Sequence, residues 1–255
     1  MKIAALVLLC LLANYSVGQE ITVAAAADLH SAFDEISAHF QSKNSVRVKI
    51  TYGSSGNLYQ QIENGAPFDI FFSANTDYPK KLEAAGLILP NSYFEYTSGK
   101  LVLLSRSNAN IDLSRGLQVL LDPVVKKVAI ANPSHAPYGQ AAIAALKQQN
   151  LYEKVSAKIV TGENVSQAAS FVLSGAAEVG IVAMSLARAP GSQSQIKYVE
   201  IPQNEYPAIQ QACVVMKSSK EQELARKFES YVQSAEARKI LQKYGFEVPA
   251  SPHSK

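Results

Sequence analysis

Tryptophan is absent from the 255-residue chain, and only two cysteines occur. Without tryptophan there is no indole platform for stacking a sugar or a base. Two cysteines exclude a disulfide framework and a Cys-based zinc site. An excess of one charge is missing as well. The 24 Lys+Arg face 21 Asp+Glu, a formal charge of +3, and no Lys/Arg stripe runs along any segment, which argues against nucleic acid as a partner. Beyond the N-terminus no run is apolar enough to span a bilayer, for which about 20 residues are needed. What remains is an ordinary globular composition, 47% hydrophobic and 18% charged, long enough for one large domain or two small ones.

The N-terminus carries an address. Met1-Lys2 precedes an unbroken apolar run, Ile3 to Ala13, followed by small residues at Ser16 and Gly18. A basic start, a short apolar stretch and a small-residue cleavage site form a secretory signal peptide, residues 1–18, cut after Gly18. No small residues precede Cys10, which argues against a lipid-modified cysteine. After cleavage Cys213 is the one cysteine left, and its apolar surroundings read as inert core. The expected product is exported, soluble after cleavage, and periplasmic.

Along the mature chain, apolar strands alternate with helical patterns, the signature of an α/β fold. Ile21 to Ala26 reads as a strand. Asp28 then opens a helix whose apolar positions Leu29, Phe33, Ile36 and Phe40 follow helical spacing. Val46 to Tyr52 alternates as a half-exposed strand, Asp69 to Ser73 and Val128 to Ala131 follow as strands, and Val179 to Val182 reads as a buried one. Two extended stretches, Gly99 to Ser105 and Tyr206 to Met216, read as connections between two lobes. The expected division is 19–98 plus 209–248 for one lobe and 99–208 for the other, with 249–255 as a disordered tail.

Four strand-to-helix turns share one chemistry: Ala27-Asp28, Gly53-Ser54-Ser55-Gly56, Pro137-Tyr138-Gly139 and Asn164-Val165-Ser166. Each is small or polar and opens a helix, whose first N–H groups are unpaired and carry roughly half a positive charge. Several such ends around one cleft make an anion site. No Lys or Arg falls between Gln19 and Gln41, or between Thr51 and Pro79. Such a site would hold its ligand by neutral hydrogen bonds, whereas phosphate esters and nucleotides usually meet an Arg or Lys. Ordinary capped helices are the plain alternative.

The segments Ala24-Ala25-Ala26-Ala27-Asp28-Leu29, Tyr52-Gly53-Ser54-Ser55-Gly56-Asn57-Leu58 and Gln60 to Ala74 occur in order at family-like spacing. With Asn132-Pro133, Pro137-Tyr138-Gly139, Gly180-Ile181-Val182 and Tyr244-Gly245-Phe246, the set resembles the periplasmic molybdate-binding proteins of ABC transporters. The resemblance implies a two-lobed periplasmic-binding-protein fold, each lobe a mixed sheet flanked by helices, closing on molybdate or tungstate. It also implies a membrane permease as partner, a monomer, no cofactor, and no metal bound directly by protein atoms. By the same resemblance Ser55 matches a serine that donates through both its backbone and its hydroxyl. Tyr138 and Val165 match backbone donors, and Asp28 falls where many members have a serine. Ala183 falls where many have a tyrosine, so the Tyr138 hydroxyl is a candidate replacement.

Asp28 is the awkward residue. An ionised carboxylate about 4 Å from a negative charge is repelled by roughly 4 kcal/mol at an effective dielectric near 20. The favoured reading has its side chain capping its own helix while its N–H meets the ligand. The alternative has the carboxylate accept a proton from the ligand, which would select phosphate or another protonated oxyanion. A secreted hydrolase using Ser54 or Ser55 is a further alternative. Gly-x-Ser-x-Gly is absent and no His/Asp pair is evident, so a binding protein and not an enzyme is expected. His135 reads as a surface-loop histidine.

Overall fold

Short apolar strands that alternate with amphipathic helices can bury both faces of a parallel sheet, and this chain builds two such sheets. The computed structural model describes residues 19–192 and 194–249. Residues 1–18, expected as a signal peptide, and residues 250–255 of the expected tail lie outside the described residues. The first half runs β1 (Glu20–Ala26), a 3-10 turn (Ala27–Leu29), α1 (His30–Asn44), β2 (Arg47–Gly53), α2 (Ser55–Glu63), β3 (Ile70–Ser73), α3 (Asp77–Ala84) and β4 (Phe94–Gly99). The chain continues with β5 (Leu101–Arg106), a 3-10 stretch (Leu113–Leu121), β6 (Val128–Ala131), α4 (Pro137–Gln148), α5 (Tyr152–Val155), β7 (Ile159–Gly162), α6 (Val165–Leu173), β8 (Val179–Ala183) and α7 (Met184–Ala187). It closes with β9 (Ile196–Glu200), β10 (Ile209–Val215), α8 (Gln222–Val232) and α9 (Ala235–Lys243).

The first sheet has the order β2-β1-β3-β10-β4 and the second β7-β6-β8-β5-β9. In the first, β1 pairs parallel with β2 and β3, while β10 runs antiparallel to β3 and β4. In the second, β6 pairs parallel with β7 and β8, while β5 runs antiparallel to β8 and β9. These are the two lobes of the expected α/β fold. We refer to the first sheet and its helices as lobe 1 and to the second as lobe 2.

Sequence composition separates the two cores. Lobe 1 is aromatic: Phe33 on α1 meets Phe72 on β3 edge-on at 4.8 Å between ring centroids, and Phe228 on α8 meets Phe40 at 5.1 Å. Such pairs contribute about 0.5–1.5 kcal/mol beyond their buried area. Lobe 2 is aliphatic, with Leu101 to Leu104, Val128 to Ala131 and Val179 to Ala183 buried on its strands.

The chain crosses between lobes at Lys100 and again between β9 and β10. Lys100 Nζ lies 3.0 Å from Glu200 and 2.8 Å from Glu247, and the Tyr206 hydroxyl accepts from Leu101 N–H at 3.0 Å. Gly99 is required here. A Cβ at that position would lie 1.9 Å from the Tyr138 hydroxyl. Cys213 is buried on β10, and burial pushes its thiol well above the usual range, as its apolar surroundings imply. Among the described residues no helix is long and apolar enough to cross a membrane.

Candidate functional site

In each lobe the first two parallel strands hand over to helices at their carboxyl ends, where ligands bind in open α/β sheets. Lobe 1 presents the 3-10 turn after β1 and the start of α2. Lobe 2 presents the starts of α4 and α6. All four meet at one cleft lined by Ala27, Asp28, Ser54, Ser55, Pro137, Tyr138, Asn164 and Val165, among others. The cavity is about 10 Å³, far below the roughly 300–1,000 Å³ of pockets for drug-sized ligands, so it suits a small guest. No Lys or Arg lines it. The structure therefore brings Asp28, Ser55, Tyr138 and Val165 together.

The donors follow from helix geometry. Ser55 and Val165 are the first residues of α2 and α6, so their N–H groups have no partner within the helix. In α4 Pro137 takes the first position and has no N–H to leave unpaired. Gly139 and Gln140 both bond back to Ala136, which leaves the Tyr138 N–H as the next free one. Ser55 Oγ accepts from Ala74 N–H at 2.9 Å, which orients the hydroxyl and leaves its own proton to donate. Asn164 caps α6, its side chain accepting from Gln167 N–H at 3.0 Å.

Asp28 corrects the capping expectation. Neither the 3-10 turn nor α1 has a side-chain cap bond. The carboxyl is 1% exposed, and Oδ2 accepts from Gln211 Nε2 on β10 at 2.6 Å. Oδ1 is buried with no hydrogen-bond partner among the described residues. Burial pushes its pKa up to about 6, with hydrogen bonding from Gln211 and the Tyr138 hydroxyl pulling the other way. Burial pushes the Tyr96 and Tyr138 hydroxyls well above the ordinary tyrosine value, the charge of Asp28 adding to the effect. The Tyr138 hydroxyl accepts from Gln211 at 3.3 Å and stands beside Asp28. It thus serves the network under the cleft, and the group of Tyr138 left for a guest is its N–H. Ala183 ends β8, fully buried.

Several contacts join the lobes around the cleft. Ser166 Oγ on α6 donates to Ala27 O at 3.0 Å, and Ser185 Oγ on α7 donates to Asp28 O at 2.7 Å. Gly56 N–H donates to His135 O at 2.9 Å, and the Asn57 amide donates to Glu163. His135 is half-buried here, with Nδ1 2.8 Å from Ser54 Oγ, and is not the surface-loop residue its sequence context implies. The Ser54–His135 contact satisfies the first requirement of a nucleophile and base. The carboxylate that would orient the imidazole, Glu163, is 3.9 Å away, beyond hydrogen-bond reach, and is held by Asn57. The arrangement holds the lobes together and lacks the third member of a triad.

Gln211, Ser166, Ser185 and Gly99 were not legible as site residues. Gln211 had one available signal. Gln210 and Gln211 are adjacent on a strand and must face opposite sides, so one amide had to be buried; Gln211 is fully buried. Among the described residues no group of His, Cys, Asp and Glu could hold a metal ion.

The comparisons agree with this geometry. The family described as bacterial extracellular solute-binding protein matches residues 21–247. The molybdate-binding protein ModA of Rhodobacter capsulatus is 38% identical, the alignment covering 95% of this chain and 94% of that protein. The solved structure of the Azotobacter vinelandii periplasmic molybdate-binding protein superposes with a TM-score of 0.85 at 34% identity, covering 90% of this chain and all of that one. The substrate-binding domain of a putative molybdenum ABC transporter from Clostridium difficile superposes with a TM-score of 0.69 at 30% identity, covering 91% of this chain and all of that one. Two lobes that close helix N-termini over a cleft free of cations, and a match that runs nearly the length of the chain, mark it as a member of the bacterial extracellular solute-binding protein family.

Proposed function

We propose that this chain is the substrate-binding subunit of a molybdate ABC importer, capturing the oxyanion outside the cytoplasmic membrane and presenting it to a membrane permease. One observation carries the reading: unpaired helix N-termini from both lobes meet at a small cleft that no Lys or Arg lines. A dehydrated tetrahedral dianion is stabilised there by the Ser55 hydroxyl and N–H and by the N–H groups of Asp28, Tyr138 and Val165. Lobe closure completes the donor set, so the ligand shifts the population toward the closed state. Tungstate has the same shape and charge and is a second cargo of the proposal. A cleaved leader at 1–18, a monomer, and lobes divided as 19–98 with 209–248 and 99–208 complete it.

A thermal-unfolding scan of the mature chain with molybdate, tungstate, sulfate, phosphate and arsenate tests this reading. A ligand at about 1,000 times its dissociation constant adds roughly 4 kcal/mol, on the order of ten degrees for a chain of this size. The expected result is a large shift with molybdate and tungstate alone. A shift confined to phosphate or arsenate, or none at all, overturns it.

A further inference from the structure

Asp28 is a carboxyl group in the wall of a cleft whose other features attract anions. It has no cation to balance it: its hydrogen-bonding neighbours are the Gln211 amide, the Tyr138 hydroxyl and its own backbone N–H, all uncharged, and no Lys or Arg lines the cleft. The titratable groups facing it are Tyr138 on α4 and Tyr96 on β4, both held neutral. Gln211 on β10 and Ser185 on α7 supply only uncharged contacts. Its Oδ1 is buried and unpartnered. A charged carboxylate taken out of water is costly, and no donor among the described residues reaches Oδ1 to offset it. A carboxylic acid needs an acceptor for its proton, and a bound oxyanion supplies one.

Resting on the molybdate reading above, we propose that Asp28 enters the complex as the neutral acid, its Oδ1–H donating to an oxyanion oxygen, so that each ligand bound takes up one proton from solvent. The free protein above neutral pH holds Asp28 as the carboxylate. Binding adds the dianion and one proton to give the acid hydrogen-bonded to the dianion. No bond within the oxyanion forms or breaks. The proton stays on Asp28 because molybdate, fully deprotonated in neutral solution, is the weaker base. Burial already holds the carboxyl at a pKa of about 6 without ligand, and a dianion alongside raises it further. The position then works as a hydrogen-bond donor that weakens as pH rises, unlike a serine or an amide.

Calorimetric titration of the mature protein with molybdate at pH 8, in two buffers of different ionisation enthalpy, reads the proton directly. The expected result is about one proton taken up per molybdate, with the dissociation constant rising about tenfold per pH unit between pH 7 and 9. Asp28→Asn keeps a neutral donor. It is expected to show no uptake and a flat profile, gaining on the wild type about tenfold per pH unit over that range. His135→Gln is expected to retain the uptake, which separates Asp28 from the nearby imidazole and decides the matter if the Asn variant does not fold. A wild type with no uptake and a level dissociation constant overturns the proposal, as does uptake that survives in Asp28→Asn or vanishes in His135→Gln. Failure to bind molybdate or tungstate at any pH defeats the functional reading instead.

Discussion

Lobe 1 and lobe 2 share one strand plan, three parallel strands, then one reversed strand and a fifth that runs with the first three, yet they bring different chemistry to the cleft. Lobe 1 contributes buried polar side chains, Asp28 and Ser55, as well as N–H groups. Lobe 2 contributes a proline, a tyrosine whose hydroxyl faces away into the Gln211 network, an asparagine whose side chain caps α6, and a valine, so the first residues of its two helices offer backbone N–H groups to the guest. Its own hydroxyls, Ser166 and Ser185, donate to the carbonyls of the lobe 1 turn. The shared topology places the helix ends; the side chains of one lobe decide what those ends prefer. The cores differ in the same way, aromatic in lobe 1 and aliphatic in lobe 2.

The sharpest break of this comparison is in the aromatic core. Phe228→Ala removes a ring packed edge-on against Phe40 and Phe72 and should cost about 3–5 kcal/mol in denaturant unfolding. Ile181→Val in the aliphatic core should cost about 1 kcal/mol. Next comes the ligand-free Asp28→Asn variant. Because the folded pKa is raised from 3.8 to about 6, the folded state binds more protons than the unfolded one between those values. The contribution of Asp28 is therefore full below about pH 4 and lost as pH rises through about 6. The Asn variant should unfold up to about 3 kcal/mol harder than wild type at pH 7.5, with the pH 4 to 6 decline diminished. Ser55→Ala removes a donor to a charged ligand and leaves Ala74 N–H unpaired. Its molybdate affinity should fall by about 1.5–3 kcal/mol, roughly 10- to 100-fold, in a calorimetric titration. Val165→Ala loses no hydrogen bond, so its affinity should stay within about threefold of wild type. An equally large loss at Val165 and Ser55 would erase the distinction between the lobes.

What the sequence made legible was local. Strand and helix alternation, the Asn164 cap and the four turns rest on residues within a few positions of one another, and each local pattern matches the element formed there. The stretch Gly99 to Ser105 read as a connection because its pairing is remote: β4 ends at Gly99 and β5 begins at Leu101, and their partners lie on β8, β9 and β10. The 3-10 stretch Leu113–Leu121 is interrupted at Gly116, with φ of 57°, so no helical period develops to be read. Asp28 misled for the same reason. An Asp at the start of a helix usually caps it, and the Gln211 amide that draws its carboxyl elsewhere lies 183 positions further along.

The place of β10 has a consequence for how the molecule assembles. Strands β5 to β9 form one contiguous stretch, Leu101 to Glu200, so the second sheet can complete itself before β10 is made. The first sheet cannot. Its fourth strand follows the whole of the second sheet in sequence and sits between β3 and β4. Until it arrives, the Ile70-Phe71-Phe72-Ser73 edge stands open, an invitation to pair with another nascent chain. A chain made N-terminus first must therefore keep its earliest strands waiting until Ile209–Val215 arrives.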